Sequence, residues 1–202
     1  MMSAQGGCCV ALKNLAFVQC AAFAMLLGGT CQTSASLKIS SGETKDVSCT
    51  AGICSASAKK AVLNVNDLAG MLASGDATVQ SGSLAQDIEI DAALNWTGAH
   101  RLTLDSYHSI AFNSPVVVAG TGALTITTNH GGSGGDFRFF GKGHVEFWDL
   151  DSELIINGNT YVLENKVKRL ARDVHHSGMR DYALAKSLNE KNHVYSNSPI
   201  ET

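Results

Sequence analysis

The sequence predicts an all-β fold, a right-handed parallel β-helix of about four coils of 21–22 residues with short flanking helices. The 202 residues include 20 Gly and only two Pro, with many Thr, Ser, Asn, Val, Ile and Leu, which favours short strands separated by tight turns. Apolar and polar residues alternate in stretches such as Leu102–Thr103–Leu104, so that every second side chain shares one face. A repeat in residue type runs through the middle of the chain.

The repeat has a period of 22 residues at first. "IEID" at 88–91 aligns with "IAFN" at 110–113, and "LTLD" at 102–105 aligns with "LTIT" at 124–127. A further period of 21 places Phe137 on Val116 and Phe147 on Ile126. The strand expected at "GGSGG", residues 131–135, is weak or looped out. Stacked coils explain why residue type recurs, because one coil cannot bury its apolar face alone. An antiparallel β-sandwich remains the alternative.

Helical patterns flank the repeat. Asn66 is the expected N-cap of a short helix whose Leu68, Met71 and Leu72 share one face, with Gly75 at its end. A second helix is predicted after residue 165 and before Gly178, with one apolar face formed by Val167, Leu170, Ala171 and Val174.

These patterns divide the chain into four parts. Residues 1–35 are expected to be a signal peptide, and residues 36–60 a linker that contains a disulfide. Residues 61–165 form the β-helix domain, and 166–202 form a helix and the start of a further, truncated coil, with a strand in 181–188. No polar cap is evident for the last coil.

The N-terminus has the features of an export signal. Residues 15–29 form an apolar run that follows Lys13 and is shorter than the roughly 20 residues of a membrane span. The small residues "TSA" at 33–35 predict cleavage after Ala35. A buried helix or an uncleaved anchor is the alternative.

Four of the six cysteines precede this cleavage site and two follow it. Removal of the leader would leave only Cys49 and Cys54, and an even pair in an exported protein predicts a disulfide. Two free thiols are the alternative. The spacing of the pair fits neither a zinc site nor a thioredoxin-like site.

No catalytic, cofactor-binding or metal-ligating residue is predicted. The sequence lacks a nucleophile elbow, a phosphate loop and a zinc pattern, and a formal charge of −3 does not indicate nucleic-acid binding. Carboxylates in the repeat are interpreted as turn caps and soluble surface. A lyase or hydrolase would instead require some of them as an acid and a base across a cleft. They are Asp87, Glu89, Asp91, Asp105, Asp149, Asp151 and Glu153.

The histidines and aromatic residues are given structural roles. His175 and His176 are adjacent on a helix and point about 100° apart, so they are not a chelating pair. The others are interpreted as solvated or half-buried; they are His100, His108, His130 and His144. Alternation predicts that four aromatics point inward, namely Trp96, Phe137, Phe139 and Phe147. Phe140 and Trp148 point outward, either beneath the following helix, which we favour, or exposed as a carbohydrate-contact patch.

Three stretches carry a resemblance to a known family. They are "LNVNDLAGMLASGD" at 63–76, the repeated "LTLD" and "LTIT", and "FWDLDSELIINGNTYVLENKVKRLARDVHHSGMRDYALA" at 147–185. Together with the leader they resemble the N-terminal region of large bacterial filamentous-haemagglutinin-like adhesins, over about residues 60–200.

The resemblance implies an exported cell-surface protein that binds a host receptor, another surface receptor or a glycan. It also implies that this chain is a fragment of a longer exoprotein, which in such relatives continues beyond the "SPI" at 198–200. An outer-membrane export partner belongs to the same family pattern. The Asn-Pro motif of that export system is absent here, because the only prolines are Pro115 and Pro199. A carbohydrate-active β-helix enzyme or a carbohydrate-binding module is the alternative function.

We expect export to remove residues 1–35. N-terminal sequencing of protein recovered from the periplasm or the medium should begin at Ser36, because the apolar run ends shortly before the small residues at 33–35. A mature protein that still begins near Met1 would contradict the prediction.

Overall fold

A computed structural model describes residues 35–176 and 180–188 of the chain. The predicted signal peptide 1–35 lies outside this range up to residue 34, as do the predicted helix end at Gly178 and the final residues from 189. The described chain is mostly β, with mainly parallel sheets. Its strands are β1 Ser36–Ser40, β2 Val47–Thr50, β3 Ile53–Ala56, β4 Lys60–Asn64, β5 Ala77–Gln80, β6 Asp87–Ile90, β7 Leu94–Trp96, β8 Arg101–Asp105, β9 Ile110–Phe112, β10 Pro115–Val118, β11 Ala123–Thr127, β12 Phe137–Phe139, β13 His144–Phe147, β14 Glu153–Ile156, β15 Asn159–Glu164 and β16 Asp181–Leu184. Its helices are α1 Val65–Ser74, α2 Gly82–Ala85 and α3 Val167–His176.

The strands form three sheets. Sheet 1 has the order β12-β9-β6-β1-β4, sheet 2 the order β13-β10-β7, and sheet 3 the order β16-β15-β14-β11-β8-β5-β3-β2. From β6 to β14 the chain enters sheet 1, then sheet 2, then sheet 3, and it makes this passage three times in all. We call one such passage a circuit. Consecutive circuits pair in parallel, and the antiparallel strand pairs of the described chain are β2–β3 and β14–β15.

The first two circuits confirm the 22-residue repeat. Ile88 pairs with Ile110, Trp96 with Val118, and Leu102 with Leu124. All six side chains are at most 4 % exposed, so apolar residues stack on apolar residues in the core of the fold. Their alternate neighbours are more exposed, as the period of two predicts.

The predicted third circuit is wrong in register. Ile126 pairs with Ile156, and Phe147 pairs with Val118, whereas the period of 21 placed Phe147 on Ile126. The reason is a loop at 128–136, which lengthens the period to 27–30 residues. Asn129 closes this loop, since its side chain donates to the carbonyl of Gly135 at 2.8 Å and accepts from the amide of Gly135 at 2.7 Å.

Residues 36–60 are not a linker. β1 lies inside sheet 1 between β4 and β6, and its Leu37 and Ile39 are fully buried. The Ser, Thr, Ala and Lys content of the segment concealed this strand, because only two large apolar residues are needed to fill its inward positions. The β-rich region therefore begins at Ser36 and not at residue 61, and Ala35 directly precedes it.

Helix α1 lies against strands of all three sheets at the side where β4 and β7 are the edge strands. Its Leu68 and Leu72 are fully buried, while Met71 is partly exposed. The N-cap is Asn64 and not Asn66, because the Asn64 side chain accepts a 2.8 Å hydrogen bond from the Asn66 amide. The helix ends at Gly75, as predicted.

The chain reverses direction after the third circuit. β15 pairs antiparallel with β14, and β16 pairs parallel with β15, with α3 between them. The predicted apolar face of α3 is partly buried, and the helix has no fully buried residue. The expected strand within 181–188 is therefore present, but it runs opposite to the strands of the circuits.

The strand phase can be tested with two neighbouring substitutions in β11. Ile126 is 2 % exposed, so Ile126→Asp would bury an unpaired charge and should cost about 3 kcal/mol or more. Thr125 points outward beside the Arg101 guanidinium, so Thr125→Asp should be tolerated. Thermal melts of both variants measure the difference, and equal melting temperatures would contradict the inward assignment of Leu104 and Ile126.

Candidate functional site

The outer face of sheet 1 carries a charge cluster between neighbouring strands. The Lys38 ammonium lies 2.5 Å from a Glu89 oxygen and 3.2 Å from an Asp91 oxygen. The hydrogen bond to Glu89 raises the pKa of Lys38, so the lysine stays charged. Asp91 also accepts a 2.7 Å hydrogen bond from the Asn113 amide group of the next circuit. These two carboxylates therefore bridge adjacent strands.

Similar pairs link the circuits elsewhere. The His130 ring lies 2.6 Å from an Asp105 oxygen, and Asp105 also accepts from Gln80 at 3.4 Å. Glu153 pairs with Arg101. Asp149 accepts a 2.9 Å hydrogen bond from the amide of Asp151, as a turn cap does. The sequence predicted turn caps, which Asp149 provides, and a soluble surface; the ion pairs were not predicted.

One cluster combines a serine, a histidine and an aspartate. The Nδ1 atom of His108 lies 2.9 Å from Asp87 and 3.1 Å from the Ser109 hydroxyl. A nucleophilic triad uses the two ring nitrogens for the two partners, so that the base can take the serine proton. Because both contacts here converge on one nitrogen, this cluster has the geometry of a turn network and not that of a nucleophilic triad.

The aromatic residues only partly follow the prediction. Trp96 and Phe147 are buried, as expected, and Phe137 is partly buried. Phe139 is 49 % exposed, although its ring stacks against Phe112 with a centroid distance of 5.1 Å. β12 is one of the two edge strands of sheet 1 in the described chain, so its inward residues have neighbours on one side only.

Phe140 and Trp148 point outward, as predicted, but the prediction that the following helix covers them is wrong. They are 51 % and 66 % exposed. Phe140 follows β12 and Trp148 follows β13, so each ring stands at a turn. Helix α3 instead packs against β15.

An apolar cavity opens beside the last circuit. It has a volume of about 500 Å³ and lies next to the edge strands β12 and β13. Its lining combines inward residues of the third circuit with residues of β16 and of the segment that follows it. They include Phe137, Phe147, Leu154, Ile156, Leu184 and Lys186. Sequence reasoning noted that the last coil lacks a cap but missed the cavity, because it depends on the corrected register.

Cys49 and Cys54 form a disulfide in the structure. They stand directly opposite each other on the β2–β3 hairpin. Cys54 is fully buried, with its sulfur 3.7 Å from the Met71 sulfur, whereas Cys49 is exposed. The bridge ties the outermost strand of sheet 3 to the core.

Glu164 is a buried acid that sequence reasoning missed. It ends β15, is fully buried, and accepts no hydrogen bond on either carboxyl oxygen from the described residues. The Arg169 Nε of helix α3 lies 3.1 Å from one of these oxygens. The same Nε lies 3.8 Å from an oxygen of Asp173. Burial raises the pKa of Glu164, while Arg169 opposes that shift. A glutamate at the end of a strand gives no sequence signal of burial.

Within residues 35–176 and 180–188, no group of three or more His, Cys, Asp or Glu residues could hold a metal ion. In the same ranges no helix is both long enough and apolar enough to cross a membrane. The chain matches no protein-family model, no curated protein and no solved structure.

The buried carboxyl predicts a pH dependence of stability. A raised pKa means that the folded protein holds the proton more tightly than the unfolded chain does. Protonated Glu164 therefore makes its full contribution to the free energy of unfolding below the unfolded pKa of about 4.3. This contribution is lost as the pH rises through the pKa of Glu164 in the folded protein. Glu164→Gln should remove this loss, so its melting temperature should rise relative to the parent between pH 4 and pH 7.5.

Glu43→Gln makes the same change in charge at an exposed residue and serves as the control. Melting curves at five pH values across this range measure the effect. A Glu164→Gln variant that follows the parent at every pH would contradict the assignment.

Proposed function

We propose that this chain is an exported cell-surface protein whose three sheets form a right-handed parallel β-helix, and that it acts as an adhesin. The observation that carries the proposal is the repeated passage through sheets 1, 2 and 3 with parallel pairing and stacked apolar residues, such as Leu102 with Leu124. Such an architecture keeps its stabilising contacts inside. Its outward side chains are not needed for the core, so they can contact another surface.

The chemistry of the outward face supports contact more than catalysis. Glu89 and Asp91 share Lys38, Glu153 is paired with Arg101, and Ser109 lacks the triad geometry. Catalytic acids and bases need a position facing a reacting group, and these carboxylates are engaged across neighbouring strands. We therefore propose a binding role and no enzymatic one.

Export is supported by two observations. The disulfide between Cys49 and Cys54 is the kind of bond that persists in oxidising compartments. The apolar run at 15–29 has the length of a signal-peptide core. The resemblance to filamentous-haemagglutinin-like exoproteins is consistent with both, and with a chain that belongs to a longer adhesin exported through the outer membrane.

Carbohydrate binding is the second candidate, and the exposed Trp148 and Phe140 favour it. Their rings are more than half exposed, although a large aromatic side chain usually contributes to a core. Exposed aromatic rings dominate many binding surfaces because they bury a large apolar area on contact. If the glycan is on a host cell, carbohydrate binding would be the means of adhesion.

We expect the purified protein to bind saturably to host-cell surfaces or to a glycan array. The double variant Trp148→Ala, Phe140→Ala should bind about tenfold more weakly or worse, because each substitution removes an exposed ring. Its melting temperature should stay close to that of the parent.

Leu84→Ala is the matched control, because it removes an exposed apolar side chain from helix α2. This variant should bind like the parent. If the parent protein binds no surface and no glycan, the adhesive function is wrong. If the parent and the double variant bind equally well, adhesion does not use these two rings.

A further inference from the structure

The apolar cavity beside the third circuit is walled by side chains from all three sheets. Phe139 belongs to β12, Phe147 to β13 and Ile156 to β14, and each of them lines the cavity. They stack on buried residues of the second circuit, namely Phe112, Val118 and Ile126. The cavity therefore prolongs the apolar interior of the fold beyond the second circuit.

The size and the walls of the cavity fit a small ligand with a large apolar part. Phe139 is 49 % exposed and Leu184 is 45 % exposed, although both are large apolar side chains. Small-molecule sites usually have volumes of about 300–1,000 Å³ and mostly apolar walls, and this cavity has about 500 Å³. Since a dry cavity of about 150 Å³ can hold a benzene ring, the volume leaves room for an alkyl chain of about ten carbons.

The polar side chains of the cavity are few and lie close together in the chain. Lys186 and Ser187 line it, directly after the residue that follows β16. His144 also lines it, but the Nδ1 atom of its ring is bound to the carbonyl of Lys142 at 2.9 Å. No Asp or Glu is among the described residues of the lining. The charge at the cavity is therefore positive and comes from Lys186.

The backbone holds Lys186 beside the cavity. The carbonyl of Ala185 accepts a 2.7 Å hydrogen bond from the Phe147 amide, and Ala185 is fully buried. Lys186 is not among the Lys and Arg residues that form ion pairs within the described chain, which are Lys38, Arg101, Arg169 and Arg172. Its ammonium can therefore pair with an anionic group, and the Ser187 hydroxyl can donate a second hydrogen bond.

We propose that this cavity binds a medium-chain fatty acid, with its alkyl chain among the inward side chains of the third circuit and its carboxylate at Lys186 and Ser187. The positive charge of Lys186 selects an anionic head group. A sugar fits poorly, because apolar walls offer no partners for its hydroxyl groups. Space for about ten carbons fits one alkyl chain and not the two long chains of a phospholipid. The inference does not depend on the adhesive function.

Isothermal titration calorimetry of the purified full chain with hexanoate, octanoate and decanoate tests the proposal. All three are used below the concentrations at which they form micelles. Binding should be saturable, and each added CH₂ group should tighten it about fourfold, as the transfer free energy of a buried CH₂ predicts.

Lys186→Met separates the head group from the chain, because it keeps an apolar stem and removes the charge. This variant should bind decanoate about tenfold more weakly than the parent, since a hydrogen bond to a charged group is lost. It should bind the uncharged 1-decanol as the parent does, and its melting temperature should stay close to that of the parent.

Two control variants locate the site. Lys142→Met makes the same change at an exposed lysine outside the described lining, so it should bind decanoate like the parent. The double variant Trp148→Ala, Phe140→Ala should also bind decanoate like the parent, because neither ring belongs to the described lining.

Three results would overturn the proposal. A parent chain that binds no decanoate would show that the cavity takes no fatty acid. An affinity that is independent of chain length would place the alkyl chain outside the apolar walls. Equal affinities of Lys186→Met and Lys142→Met for decanoate would show that Lys186 does not hold the carboxylate.

Discussion

The fold depends on one constraint, the stacking of inward apolar side chains from one circuit onto those of the next. Leu102, Leu124 and Leu154 occupy one such row across three strands of sheet 3. A single three-strand circuit exposes both edges of its apolar face, so each row gains stability only when a neighbour covers it. A slip of one residue would turn the whole row outward, which is why the parallel register is maintained even where the loop at 128–136 lengthens the chain.

Because of the same constraint, both sides of the stack need a cover, and the two covers differ. On the side of β4 and β7, helix α1 covers the edge with Leu68 and Leu72, both fully buried. On the side of β12 and β13 the chain uses the β15 hairpin, helix α3 and a reversed strand. This cover buries Glu164, whose raised pKa reflects the unfavourable burial of its charge. The cavity and the exposed ring of Phe139 lie on this second side.

Sequence reasoning succeeded where residue type and spacing repeat together. Ile88 and Ile110, or Leu104 and Ile126, recur at a constant distance, so their pairing follows from the sequence. It failed after residue 127, because any strand with alternating apolar residues matches another at several spacings, and Phe147 fits Ile126 in type as well as it fits Val118. The burial of Glu164 was beyond such reasoning, since it follows from the docking of α3 and from no local pattern.

The charges of the outer face bear on the binding role that we propose. Lys38 contacts Glu89 and Asp91 on a neighbouring strand, and Arg101 reaches across β11 to Glu153. Such pairs between strands of one sheet add little stability at an exposed face, but they reduce the local net charge. A face neutralised in this way would attract charged partners weakly, so in the proposed binding role the affinity would come from apolar contact. Trp148, which stands at a turn outside these pairs, is the side chain best placed to supply it.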